Sequence, residues 1–178
     1  MNALTHPTVG QYLNRHFVSA FQKVATFQIN GANKQGGNVA AYFCTPGGLV
    51  LHAVAGPVDA GTFLREARWA NETYQLAQLE NPDQVQLQAF FRQAHRERLQ
   101  QEHGVGISQQ LPRPEAVSRK LLDQLFLQNA RLPLTNQGKV HLLLAVAPLP
   151  PLGQVYQVVF LRILNEKIST EPVKVAGE

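Results

Sequence analysis

An α/β fold is predicted, in which a sheet built on a β-hairpin is flanked by helices and an all-helical carboxy-terminal half follows. Three observations predict it. Two apolar runs, Val39 to Thr45 and Leu49 to Ala55, flank Pro46-Gly47-Gly48. That is a hairpin signal, with Pro46 in the second turn position and Gly47 in a positive-φ third position. On both sides of the hairpin, apolar residues recur at helical spacing. Asn81-Pro82-Asp83 then punctuates the chain, because a residue before proline leaves helical geometry and Asp83 can cap the next helix.

Taken in order, Val9, Leu13 and Phe17 mark a first helix. "FQKVATFQI" alternates and is rich in branched and aromatic residues, so a strand is expected over Val24 to Ile29. Asn30 to Asn38, "NGANKQGGN", reads as a loop of breakers and polar residues. After the hairpin, Asp59 caps a helix that carries Phe63, Ala67, Ala70, Tyr74 and Ala77. Beyond the Asn-Pro-Asp boundary, Leu87, Phe90, Phe91 and Ala94 give one face of a helix that stops near His103-Gly104. A further helix is expected from Pro114, with Val117, Leu121, Leu122 and Leu125. Val140 to Ala147 is an apolar run that periodicity leaves open between helix and buried strand, with helix preferred. Tyr156, Val159, Phe160 and Ile163 fit a last helix, and the tail from Ser169 is expected to be extended. The chain thus divides into an α/β subdomain over residues 1–81 and a helical one over 82–178.

Helix, "NRHFV", strand, Gly-rich approach, the hairpin "VAAYFCTPGGLVLHAVAG" and a helix beginning "VDAGTFLREA" together resemble the second half of a thioredoxin-like domain, over about Pro7 to Ala77. The resemblance implies a partial thioredoxin-like sheet. It does not imply the family's redox chemistry, because the Cys-x-x-Cys pair and the central strand before it are missing, and Asn38 stands where the family has its cis-proline. The backbone groups left open by that missing strand need partners. Three fillers are open: direct pairing of the remaining strands, Val140 to Ala147 entering as a strand, or a strand from a second chain.

Composition bounds the function. The 178 residues are 44% hydrophobic and 16% charged, an ordinary globular balance long enough to bury a core. A single cysteine excludes an internal disulfide and a multi-cysteine zinc site, and suits a reducing compartment. "MNALTHPTVGQYLNRHFV" shows no basic leader followed by an apolar core, and no later run approaches the roughly 20 apolar residues of a membrane helix. A cytoplasmic protein without a membrane partner is expected.

Candidate chemistry starts with Cys44 and His52. With Pro46-Gly47 as turn centre, Cys44 pairs with Leu49 and His52 with Ala41, which puts the two side chains on opposite faces of the sheet. A one-residue shift brings them to one face but about 13 Å apart. Neither register makes a nucleophile–base pair, and Cys44 is left as the one redox candidate. Gly31 and Gly36 have phosphate-loop spacing, yet Gly37 and Asn38 stand where the lysine and hydroxyl residue belong. His95 and His103 with Glu97 and Glu102 lack the spacing that puts two ligands on one helical face, while His6, His16, His52 and His141 are scattered along the chain. They read as a solvated charged face, with no metal and no cofactor expected. Arg92, Arg96 and Arg98 with Arg113, Arg119 and Lys120 offer a basic surface, diluted by Glu97, Glu102, Glu115 and Asp123. Trp69 reads as a packing residue. The function expected is a redox-inactive, non-catalytic thioredoxin-like scaffold or protein-interaction module with a protein partner or as a homodimer. The alternatives are a single-cysteine thiol protein acting through Cys44 and a nucleic-acid binder using the middle helices.

Overall fold

The computed structural model describes residues 3–22, 27–30, 33–36, 38–79, 82–107, 124, 133–168 and 174–175. The fold is mixed α/β, as expected. A short 3-10 turn, Ala3–Thr5, leads into α1, Pro7–His16, which starts on a proline whose missing N–H costs nothing at a helix's first position. Strand β1, Phe27–Asn30, follows, and residues 23–26 of the expected strand lie outside the described residues.

The expected Asn30 to Asn38 loop contains a strand instead. β2, Asn33–Gly36, pairs antiparallel with β1 from Phe27 opposite Gly36 to Asn30 opposite Asn33. The ladder is made by backbone groups, which polar residues carry as well as apolar ones. The carboxy-terminal half is not wholly helical either: β5, Lys174–Val175, adds to β1 in parallel, in keeping with the extended tail. The sheet order is therefore β2-β1-β5.

The hairpin forms a separate two-stranded sheet of β3, Ala40–Cys44, and β4, Val50–Ala55. Gly48 N donates to the Thr45 carbonyl at 2.9 Å and Thr45 N to that of Leu49 at 2.8 Å, closing a three-residue loop. The positive φ falls on Gly48, at 78°, and not on Gly47. A type I turn followed by one left-handed residue has this form. The register differs from the expected one in the same way: Cys44 lies opposite Val50 and Phe43 opposite His52, with Leu51 as the extra residue. The bulge returns Val50 to the face shared by Ala53 and Ala55, leaving His52 and Val54 on the other.

Helix α2, Ala60–Leu79, is capped by Asp59, whose carboxylate accepts from Thr62 N at 2.9 Å and Thr62 Oγ1 at 2.7 Å. Helix α3, Gln84–His103, begins with a capping box between Asp83 and Gln86 and ends at Gly104 in the left-handed conformation. Val140 to Ala147 resolves as helix: α4 spans Asn136–Val146, with Thr135 Oγ1 accepting from Gly138 N at 3.1 Å. Helix α5, Leu152–Val158, runs into a π-helical turn over Val159–Ile163. The helix expected from Pro114 lies outside the described residues.

All six residues of β4 are buried, because both faces of the hairpin are covered. Phe43 and Val54 pack with Val9, Phe63, Ala67 and Ala70 of α1 and α2. On the opposite face, Val50, Ala53 and Ala55 pack with Val140, Leu143 and Leu144 of α4 and with Val155, Val159 and Phe160. Each such fully buried aliphatic or aromatic side chain contributes roughly 1.5–3 kcal/mol. Neither filler that this chain could supply lies beside the hairpin among the described residues: β1 pairs with β2 and β5, and Val140 is helical. Backbone closes the start of the outer edge of β4, where Val50 N donates to the Pro150 carbonyl at 2.9 Å, and side chains close the rest. Gln137 Nε2 donates to the Ala53 carbonyl at 2.7 Å, its Oε1 accepts from Ala55 N at 3.2 Å, and His95 Nε2 lies 2.9 Å from the Leu51 carbonyl. This edge is where α3 and α4 meet the sheet and where the candidate site forms.

Candidate metal centre

Three histidines that are far apart in the chain meet at the β4 edge. His52 comes from the strand, His95 from the middle of α3 and His141 from α4, at 0%, 1% and 0% exposure. One nitrogen from each lies within 4.8 Å of the others. Ring centroids are 4.9 Å apart for His52 and His141, 5.1 Å for His95 and His141, and 5.7 Å for His52 and His95. This corrects the expectation that His95 belongs to a solvated face and that His52 and His141 are unrelated. His95 shares its stripe of α3 with Phe91 and Leu99, both fully buried, and so points inward.

Partners outside the cluster fix the protonation of two rings. A carbonyl oxygen only accepts, so His95 Nε2 carries the proton given to Leu51 O, and His95 Nδ1 is a lone pair. His141 Nδ1, 2.9 Å away, donates to that lone pair, which leaves His141 Nε2 bare. His52 Nε2 donates to Glu66 Oε2 at 2.9 Å, which leaves His52 Nδ1 bare. Both bare nitrogens, His52 Nδ1 and His141 Nε2, are buried without a hydrogen-bond partner. Burial holds all three imidazoles below the ordinary histidine range, overriding at His52 the opposing pull of Glu66. The cluster is therefore three neutral imidazoles at neutral pH.

Glu66 and Arg98 stand behind it. Glu66 follows Phe63 by three residues on the buried stripe of α2 and is 1% exposed. Its Oε1 accepts from Arg98 at 2.9 Å, and Arg98 Nε reaches Glu102 at 2.7 Å. Burial opposes ionisation of Glu66. The His52 hydrogen bond and the Arg98 and Arg65 charges outweigh it and hold the carboxyl below its usual range. The Arg98 guanidinium also lies 4.7 Å above the Trp69 ring. Trp69 in turn has its ring centroid 4.9 Å from those of His52 and His95 and 5.5 Å from that of His141. It packs, as expected, but against the cluster.

No protein-family model, curated protein or solved structure matches this chain.

The other expected candidates lie elsewhere. Cys44 faces away from His52, among the residues packed with α4 and α5, and burial pushes its thiol up. Such a thiol is mostly protonated at neutral pH and a poor nucleophile. Native-state alkylation of Cys44 is expected to run at least about tenfold slower than in urea, and equal rates would reveal an activated thiol. His103 is placed near the cluster's rim, 6.3 Å from His141 between centroids. A Cβ at Gly138 would come within 3.1 Å of its Nδ1, so a glycine there lets α4 approach. Of the basic set, Arg98 is bound to Glu66, Arg96 donates to the Ile107 carbonyl at 2.7 Å and Arg92 to that of Val146 at 3.2 Å. Arg113, Arg119 and Lys120 lie outside the described residues. Residues 31, 32 and 37 of the phosphate-loop-like stretch do too. No helix among the described residues is long and apolar enough to cross a membrane.

Proposed function

We propose that this chain is a non-catalytic protein that binds one transition-metal ion through His52, His95 and His141. The observation that carries the reading is that His52, His95 and His141 each bring one ring nitrogen within 4.8 Å of the others, and that His52 Nδ1 and His141 Nε2 are buried with no hydrogen-bond partner. Neutral imidazole is the form that ligates, and it suits zinc, copper, iron and nickel. A metal–nitrogen bond of about 2.0–2.1 Å sets ligand nitrogens about 3.3–3.6 Å apart, and to ligate, His95 Nδ1 must give up the hydrogen bond it accepts from His141 Nδ1. The Glu66–His52 and Leu51–His95 hydrogen bonds are the outer contacts that orient ligand histidines and fix their tautomers. The thioredoxin-like resemblance enters this reading as a scaffold without thiol chemistry, built around the hairpin and α2.

Metal-free protein supplied with a divalent transition metal at about 100 times its dissociation constant is expected to gain roughly 2.7 kcal/mol, a rise in melting temperature of roughly 5–10 °C. His52→Gln, which can still donate to Glu66, should lose most of that rise. Protein that carries no bound metal by elemental analysis, and whose melting temperature no metal raises, would refute the reading.

A further inference from the structure

Resting on the metal-binding reading, we propose that the ion reaches the buried cluster by way of His103, which ligates it first together with His141 and then releases it to His52 and His95. The need for such a step follows from burial. His52, His95 and His141 are 0%, 1% and 0% exposed, so an ion from solvent does not meet them directly. His103 is better placed to receive it. It is the last residue of α3, it is half-buried, and the chain turns away behind it at Gly104. A half-exposed ring at a helix end changes rotamer without opening the fold.

Distance decides which residues His103 can share the ion with. A metal–nitrogen bond of about 2.0–2.1 Å and a ring radius of about 1.1 Å put the centroids of two ligating rings at most about 6.4 Å apart. Those of His103 and His141 are 6.3 Å apart, so one ion between them reaches both. His95 stands about 12 Å further back along the axis of α3, too far to share an ion with His103. His103 and His95 therefore serve the ion in turn, and His141 is common to both stations.

The hydrogen bonds set the order. His103 Nε2 and His141 Nε2 are both buried with no partner, so an ion at the outer station displaces no bond of theirs. At the inner station His95 Nδ1 must first give up the bond it accepts from His141 Nδ1. Gly138 leaves room for the His103 ring, since a Cβ there would lie 3.1 Å from its Nδ1 and 3.2 Å from its Cγ.

Full-chain apoprotein is mixed with Co(II) in a stopped-flow instrument, and binding is followed by quenching of Trp69, the only tryptophan, whose ring centroid lies 5.5 Å from that of His141. His103→Gln is expected to slow association and dissociation alike, each at least about tenfold, with the dissociation constant held within about twofold, because a residue on the path but not in the final site acts on entry and exit equally. His103→Ala should do the same. His52→Gln, which removes a final ligand, should instead weaken binding at least about tenfold. Rates unchanged in both His103 variants overturn the proposal. Binding weakened as much in His103→Gln as in His52→Gln also overturns it, by making His103 a resident ligand, and leaves the metal-binding reading standing. If the wild-type chain binds none of Co(II), Zn(II), Ni(II) and Cu(II), both fall.

Discussion

Arg98→Ala is expected to destabilise the protein by about 3–5 kcal/mol, the usual result of stripping a buried charge of its partner. The sign comes from the group left behind. Glu66, 1% exposed, would keep its contact with His52 but lose the guanidinium 2.9 Å away that holds it ionised. It would then either remain a buried charge or take up a proton, and either outcome weakens the fold. The removed side chain also packs over Trp69, so some of the loss is packing and not charge. A double-mutant cycle separates the two. Glu66→Gln keeps an acceptor for His52, and Arg98→Met keeps most of the stem. Their combination should cost much less than the sum of the single losses. Urea melts of the four proteins measure the coupling, and additive losses would mean that the ion pair contributes nothing.

The second large effect is loss of stability in acid. His52, His95 and His141 have folded pKa values lowered by burial, whereas in the unfolded chain each titrates near 6.5. Below that pH the unfolded state binds more protons than the folded one, so the stability of the fold rises with pH and is lost as pH falls. Each group contributes up to about 1.4 kcal/mol per pH unit, and three together about 4 kcal/mol per unit. The loss accumulates with falling pH for as long as the buried rings stay neutral in the fold. Glu66, its folded pKa lowered, adds to the loss once the pH passes through the carboxylate range. Urea melts followed by Trp69 emission between pH 7 and 5 give the slope. A slope no greater than that of one histidine, about 1.4 kcal/mol per unit, would show that the cluster is not held neutral.

Much of the architecture was legible because its signals are local. Asp59, Asp83 and Gly104 mark helix ends through hydrogen bonds within a few residues, and the structure places them so. β2 was missed because "NKQG" carries no apolar alternation, and its pairing with β1 is a matter of backbone alone. The hairpin's register is offset from the expected one by two residues, one from the three-residue loop and one from the bulge, and nothing in the sequence distinguishes Leu51 from its neighbours. The histidine cluster was missed for a different reason. Metal-ligand spacing is a signal only when one element supplies two ligands, and here β4, α3 and α4 supply one each. A signal did exist: His52, His95 and His141 each stand at an apolar position, within "VLHAV", on the Phe91–Leu99 stripe and within "VHLLL". A polar ring on a buried stripe needs a partner, and three such rings can be one another's.

The Gln137 amide lies along β4 as a stand-in for a strand, matched to one donor and one acceptor of the exposed ladder. With His95 beside it, the hairpin has no zipper left to offer on that side. A second copy of the chain cannot extend this sheet past β4 without first prising α3 and α4 away. Any self-association must therefore use another surface, and misfolded stacking through this edge is shut off by the same helices that carry the histidines.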